Sequence, residues 1–337
     1  MKIGEFDLNE KIFVIAEIGN NHEGNVSTAE EMIGRAMEAG ADAVKFQSID
    51  PGQLIAPGET QRLAQLGRFR LSDEEYLHLA RVAEREGVAF LSTPFFLDAV
   101  EFLDPLVPAF KIASGDNNFI PLLKAVAGTR KPILLSTGMS DLAGLKHGID
   151  AVCSAWQEQS PSASPGLVLL HCVSAYPTFA ADANIGFMRD LLKLGHTLGY
   201  SDHTIGADAV TLAVALGARV IEKHFTLDNN FSDFRDHQMS CNPADMRVYC
   251  EKIRMAETLL GEGAKRLLSC EDETNAAARR TIVAACELPA GHVLEWDDLA
   301  WLRPDGTPTP GIEQELLGKR LMKPLSSGEP IKPECIR

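Results

Sequence analysis

Basic charge is in short supply along this chain. Its 337 residues carry 32 Lys and Arg against 47 Asp and Glu, a formal net charge of −15. Nucleic acid and anionic membranes both require a basic surface, so neither is expected as the main partner. The deficit leaves room for a small anionic ligand, because a local pocket can oppose the global sign; Lys45 and Lys111 are the candidates. No apolar run approaches the roughly 20 residues that cross a bilayer, and the opening MKIGEFDLNEK is acidic with no apolar signal core. CxxC pairs are absent, and the seven cysteines follow no regular spacing. Cys172 and Cys286 fall in apolar, strand-like runs, where a free thiol behaves as a small hydrophobe. A soluble protein of the reducing cytoplasm is the expectation. No Walker loop occurs, and the glycines between 19 and 24 are too loosely placed for a dinucleotide fingerprint.

What the chain has instead is a repeat of short apolar runs. They are IFVIAEIG (12–19), AVKFQ (43–47), AFLSTPF (89–95), AFKIASG (109–115), PILLST (132–137), LVLLHCV (167–173), TLGYSDH (197–203) and VIEKHFT (220–226). Helical patterns separate them. TAEEMIGRAMEAG (28–40) carries an apolar stripe closed by Gly40, and SDEEYLHLARVAEREG (72–87) opens with Ser72 and Glu75 as a capping box and stops at Gly87. Strand then helix, eight times, predicts a (β/α)8 TIM barrel within α/β architecture, with a doubly wound open sheet as the alternative. Two long insertions, 48–71 and 227–242, follow the second and eighth runs and are expected to rim a site. Beyond residue 263 a polar stretch, 264–280, reads as a linker with helical character. Residues 281–337 form a small, mostly β module whose pieces TIVAACEL, HVLEWDDL and KRLMKPL are divided by PAG, RPDGTPTPG and SSGEP turns.

Each run carries a polar or charged residue at or near its end. A parallel barrel gathers strand ends on one face, where its active site sits. Glu17, Lys45, Gln47, Thr93, Lys111, Ser114, Ser136, Ser201, His203 and His224 are therefore expected to converge.

The motifs AEIGNNHEG (16–24), VKFQ (44–47), FLSTPF (90–95), FKIASGD (110–116), LSTGMS (135–140), LLHCVSAYPT (169–178), GYSDHTIG (199–206) and EKHFT (222–226) resemble those of the sialic acid (nonulosonic acid) synthases. The tail resembles the antifreeze-like (SAF, β-clip) domain fused to the barrel in that family. The resemblance covers nearly the whole chain. It implies condensation of phosphoenolpyruvate with an N-acylated hexosamine, such as N-acetylmannosamine, to a nine-carbon 2-keto sugar acid.

By that resemblance His203 and His224 are metal ligands. Two imidazoles with water and substrate oxygens suit an octahedral divalent ion, Mn²⁺ first, Mg²⁺ or Co²⁺ next, better than closed tetrahedral zinc; the alternative is two hydrogen-bonded core histidines. Lys45 and Lys111, with Thr93, Ser114, Ser136 and Ser201, are the phosphoenolpyruvate set. An ammonium pointing into a barrel needs an anion, so the alternatives are internal pairing with Glu17 or Glu222, or a Schiff-base lysine. Asp116 and Glu17 are the catalytic acid–base candidates. Asp116 stands where the family usually has glutamate, one methylene longer; its bland alternative is a helix-cap aspartate. Gln47, Tyr176, Asp236 and Arg303 match sugar-binding positions, and His237 reads as a loop-packing residue. His22 belongs either to the pocket or to its own turn. Arg303 implies a domain-swapped homodimer in which the terminal domain of one subunit reaches its partner's barrel. The rival functions are a lysine-dependent lyase on the same barrel and a carbohydrate- or ice-binding protein without catalysis.

Overall fold

Strands form where apolar side chains alternate between two buried faces. In the computed structural model, which describes residues 1–159, 164–303 and 310–337, they are β1 (Phe13–Gly19), β2 (Ala43–Ser48), β3 (Ala89–Pro94), β4 (Phe110–Ile112), β5 (Ile133–Ser136), β6 (Leu167–His171), β7 (Thr197–Asp202) and β8 (Val220–His224). All pair in parallel, in the order β3-β2-β1-β8-β7-β6-β5-β4. The ladder between β1 and β8 joins first strand to last, so the sheet curls on itself. β3 and β4 lie side by side at the remaining seam without a ladder. This is the expected (β/α)8 barrel, not an open doubly wound sheet.

The alternation has a direct consequence for chemistry. Phe13, Ile15, Ala43, Leu91, Leu134, Val168, Leu170 and Val220 fill the barrel interior together with Ile3 and Leu8 of the amino-terminal segment. Two residues further along the same faces come Glu17, Lys45, Thr93, Ser136, Cys172 and Glu222, so the apolar plug ends in a polar layer. Within the plug, level with Leu170 and Val220, Gly199 is required: a Cβ there would sit 2.4 Å from Leu170 Cδ2 and 2.8 Å from the Val220 carbonyl oxygen. The opposite faces (Val14, Ala16, Val44, Phe46, Ile133, Leu135) pack on the helices.

Those helices are α1 (Val26–Glu38), α2 (Asp73–Glu86), α3 (Asp98–Leu103), α4 (Ile120–Gly128), α5 (Leu142–Gln159), α6 (Met188–Leu192), α7 (Asp208–Ala215) and α8 (Pro243–Leu260). Their ends follow local chemistry. Asn25 caps α1 by accepting from the Thr28 amide at 3.0 Å. Ser72 and Glu75 form the capping box of α2, which stops at Gly87 with φ +77°. The insertions are partly helical, with Pro51–Leu54 and Thr60–Phe69 in one and Arg235–Met239 in the other. They meet through Phe69 and Phe234, whose rings are 4.9 Å apart.

The chain divides after Gly261 into two units, Met1–Gly261 and Glu262–Arg337. In the second, the linker region carries a short helix, Asp272–Ala278, with largely exposed side chains. Ile282, Ala284, Leu288, Leu294, Leu299, Leu316, Leu321, Leu325 and Ile331 form a separate core, and Thr281–Ala284 pairs antiparallel with Leu299–Leu302. Two expectations are corrected here. HVLEWDDL is not a strand over its length: Asp298 accepts the Glu295 amide at 2.8 Å and winds Trp296–Asp298 into a 3-10 turn, a carboxylate outcompeting a ladder for the backbone. Cys286 is exposed, because the strand stops at Ala284 and leaves the thiol beyond it. Of the RPDGTPTPG turn, residues 304–309 lie outside the described residues.

Candidate active site

β1 and β2 run in register with Glu17 opposite Lys45, and β8 sets His224 opposite Glu17 and Glu222 opposite Ser201 of β7. Register alone therefore places these groups in one layer. Lys45 Nζ is 2.7 Å from Glu17 Oε2, donates to Thr93 Oγ1 at 2.9 Å and lies 3.6 Å from Glu222 Oε2. Lys111 Nζ donates to Ser136 Oγ at 2.8 Å and to the Ile112 carbonyl at 3.4 Å, and lies 3.4 Å from Glu222 Oε1. Ser201 Oγ donates to that same Glu222 oxygen at 2.8 Å. A chain from Asn20 through Gln47 to Glu17, each link 2.8 Å, completes the network. All four charged groups are buried.

Burial works against charge on each, and the neighbours decide the outcome. Burial raises the Glu222 carboxyl, but Lys111 and Lys45 overcome it and hold the group at about 2. Burial pushes the Glu17 carboxyl up, with Lys45 opposing and Glu222 assisting. Burial lowers the Lys111 ammonium. For Lys45, burial is outweighed by Glu17 and Glu222, which raise it. Glu222 is thus the anion shared by both lysines.

Beside this network lie the two imidazoles, their ring centres 5.5 Å apart. The Val173 carbonyl, 2.8 Å from His203 Nδ1, accepts the proton there and leaves Nε2 as the free nitrogen. His224 is buried and its Nδ1 has no hydrogen-bond partner among the described residues. An orphaned buried nitrogen next to an oriented imidazole fits a divalent ion taking two ligands from the protein. Among the described residues no group of three or more His, Cys, Asp or Glu is placed to hold a metal ion, so the remaining positions would belong to water or substrate oxygen. Tyr176 packs 4.3 Å from the His203 ring and 6.0 Å from His224, with the Arg235 guanidinium 5.4 Å above it. Asp236 follows on the same short helix. Burial raises its carboxyl, against the pull of Arg235 and His203.

Ser114 joins from the other side: its Oγ is 3.3 Å from Cys172 Sγ, which is 3.9 Å from His203 Nδ1. A cavity of about 330 Å³ opens there, lined by Thr137, Gly138, Ser140, Cys172 and Ser174 among others. Gly138 keeps it open, since a Cβ would come within 2.6 Å of Ser174 Oγ and 2.7 Å of Ser114 Oγ.

Not every expected residue enters the network. Asp116 ends the 3-10 turn Ser114–Asp116 and burial raises its carboxyl, but no side chain among the described residues bonds to it. It does not cap α4, whose N-cap, Phe119, has no side-chain bond. Arg303 is exposed in the second unit. His22 accepts the Gly24 amide at 3.0 Å and so serves its own turn. His237 has both nitrogens engaged, by Thr226 at 2.6 Å and Glu23 at 3.3 Å, under the Phe231 ring. Two residues carry more than the motif reading assigned them. Glu222 entered only as a pairing partner and Cys172 only as a small hydrophobe. Strict alternation back from His224, and forward from Leu170, points both inward.

Fold and site together define a barrel enzyme with two buried, carboxylate-paired lysines beside an imidazole pair. The NeuB family model matches residues 32–265 and the SAF domain model residues 279–337. The chain belongs to the NeuB family, the sialic acid synthases with a carboxy-terminal SAF domain. It is 38% identical to the N,N'-diacetyllegionaminic acid synthase of Legionella pneumophila over 94% of this chain and 92% of that one. It is 33% identical to human N-acetylneuraminate-9-phosphate synthase over 96% and 92%. The solved sialic acid synthetase of Leptospira borgpetersenii, in complex with citrate, superposes with a TM-score of 0.75 at 30% identity, over 81% of this chain and 94% of that one.

Proposed function

We propose that the chain condenses phosphoenolpyruvate with the open-chain aldehyde of an N-acylated hexosamine, giving a nine-carbon 2-keto acid and inorganic phosphate. The observation that carries this reading is the pairing of two buried lysines and their hydroxyl partners with the His203/His224 pair at one end of one barrel. The lysines, Thr93, Ser136 and Ser201 bind the phosphate and carboxylate of the donor, with Ser114 on the Cys172 side. A divalent ion held by His203 and His224, Mn²⁺ first, supplies a Lewis acid for the sugar aldehyde.

The donor methylene carbon forms the new bond to the aldehyde carbon, and the aldehyde oxygen gains a proton. Water adds to the donor C2, and its C–O bond then breaks to release phosphate and leave the keto group. A carboxylate orients and deprotonates that water. We assign this to Asp116, which neither pairs nor caps and is therefore uncommitted. Glu17, tied to Lys45 and Gln47, positions the donor and assists proton transfer. Gln47, Tyr176 and Asp236 line the sugar side, and Arg303 completes it from a partner subunit in a domain-swapped homodimer working in the cytoplasm.

The decisive assay measures phosphate release from phosphoenolpyruvate with a panel of N-acetylmannosamine, its 6-phosphate and diacetamido-trideoxy hexoses, with Mn²⁺ and after chelation. Metal-dependent release with one or more of these sugars supports the reading; silence with every metal and sugar overturns it and favours a binding protein. One observation favours a second enzyme class: burial depresses Lys111, as in Schiff-base lysines. Its contacts with Glu222 and Ser136 argue for a retained charge. Borohydride trapping of a pyruvate adduct on Lys111 or Lys45 would establish the lyase instead.

A further inference from the structure

Glu222 has been given no part in the reaction, yet it touches both lysines. Its Oε1 accepts from Ser201 at 2.8 Å and lies 3.4 Å from Lys111, while its Oε2 lies 3.6 Å from Lys45 and accepts no hydrogen bond. Lys45 is surrounded by Glu17, Thr93 and Glu222, and Lys111 by Ser136, the Ile112 carbonyl and Glu222. Each ammonium thus has three polar neighbours from the chain itself, one or two of them hydrogen-bonded and the carboxylates held as ion pairs. The charges match as well: counted ionised, Glu17 and Glu222 cancel Lys45 and Lys111. A pocket built only to hold an anion would keep a net positive charge.

We propose that Glu222 is a positioning residue that makes binding of the anionic donor conditional on the divalent cation. This rests on the reaction proposed above. The donor brings about −2.5 to −3 charges at neutral pH from its phosphate and carboxylate. Enclosed in a neutral, buried set, that charge is costly unless a cation enters too. His224 follows Glu222 by two residues on the same strand and the same face, so the carboxylate and the imidazole pair report on one another's occupants. Donor and cation then raise each other's affinity by the same factor, as linkage requires.

Calorimetric titration of the full chain tests this without turnover. In the wild-type protein, phosphoenolpyruvate affinity with chelator present is expected to be roughly 100-fold below that with Mn²⁺, and Mn²⁺ affinity to rise by the same factor with the donor. Glu222→Gln removes the charge and keeps the shape. Its chelator-condition affinity for phosphoenolpyruvate is expected to rise about tenfold or more and the coupling to shrink accordingly. Glu222→Asp, which retains the charge, keeps the coupling. Should the amide variant melt far below wild type, Glu222→Met is the second neutral variant. Undiminished coupling in a folded neutral variant, or wild-type donor binding indifferent to Mn²⁺, overturns this inference alone. Absence of donor binding under both conditions overturns the proposed reaction and this inference with it.

Discussion

Histidine serves different ends in this barrel, and the partners of each ring nitrogen separate them. His203 hands one nitrogen to the Val173 carbonyl and keeps the other; His224 keeps a buried nitrogen unpaired. His203→Ala is expected to lower turnover by roughly two orders of magnitude or more. Stability changes little by comparison, because the folded state loses about one hydrogen bond, about 1 kcal/mol and a few degrees in a chain this long. A large drop in melting temperature with retained activity would return His203 to the core. His22 behaves oppositely. Burial holds its pKa near 4, below the 6.5 of an exposed imidazole. The unfolded chain thus binds the proton more readily, so this contribution is full above pH 6.5 and is lost as pH falls toward 4. The loss is about 3 kcal/mol. His22→Asn should flatten the melting-temperature profile across that window; an unchanged slope would show that other groups set it.

At the level of the element, the strands carry two instructions in one pattern. Alternation chooses which residues fill the barrel, and position along the strand chooses whether they belong to the apolar plug or the polar layer above it. β7 shows how tight the plug is. Gly199→Ala places a methyl against Leu170 and the Val220 carbonyl, and a loss of about 1–3 kcal/mol is expected in denaturant titration. Gly34→Ala in α1 is the contrasting substitution, since nothing lies within 4 Å of its Cβ. There the lower backbone freedom of alanine should stabilise by about 0.5–1 kcal/mol. Equal effects at the two sites would mean that close packing around β7 is not what the glycine serves. The 3-10 turn after β4 makes a related point: it turns the chain at Ser114–Asp116 and gives the shorter aspartate its position relative to the strand.

For the whole molecule, the proposed reaction assigns Arg303 to a partner's barrel. On that proposal Arg303→Ala is expected chiefly to raise the KM for the sugar, because the group it would bind is remote from the forming bond. If the arginine acts on a partner's barrel, co-expressed Arg303→Ala and His203→Ala chains restore activity: one barrel keeps its imidazoles and receives an arginine from the other chain. Absence of complementation in a proven heterodimer would confine Arg303 to its own barrel or remove it from the site. The net negative charge of the chain and the buried lysines are compatible at this scale because the lysines lie inside the barrel, paired with Glu17 and Glu222 and shielded from the bulk charge.

The eight short apolar runs and their alternation with helical patterns were enough to predict eight parallel strands and the end at which polar groups collect. Those are properties of local stereochemistry, written in near-continuous apolar runs because a parallel strand is buried on both faces. The resemblance of the motifs then named the residues by type. What the linear order left open was valence. Whether Lys45 and Lys111 were paired internally, which nitrogen of His203 was free and whether His22 faced a pocket or its own turn depend on distances across strands far apart in the chain. Glu222 became the shared counter-ion only because closure of β1 on β8 brings it between two lysines from β2 and β4. Cys286 and HVLEWDDL went astray for the converse reason, a strand that stopped early and a carboxylate that claimed the backbone. Short-range pattern determines the elements; the charge balance of a buried site is decided by three-dimensional neighbours, because in a low dielectric each group's state is set by those nearest it.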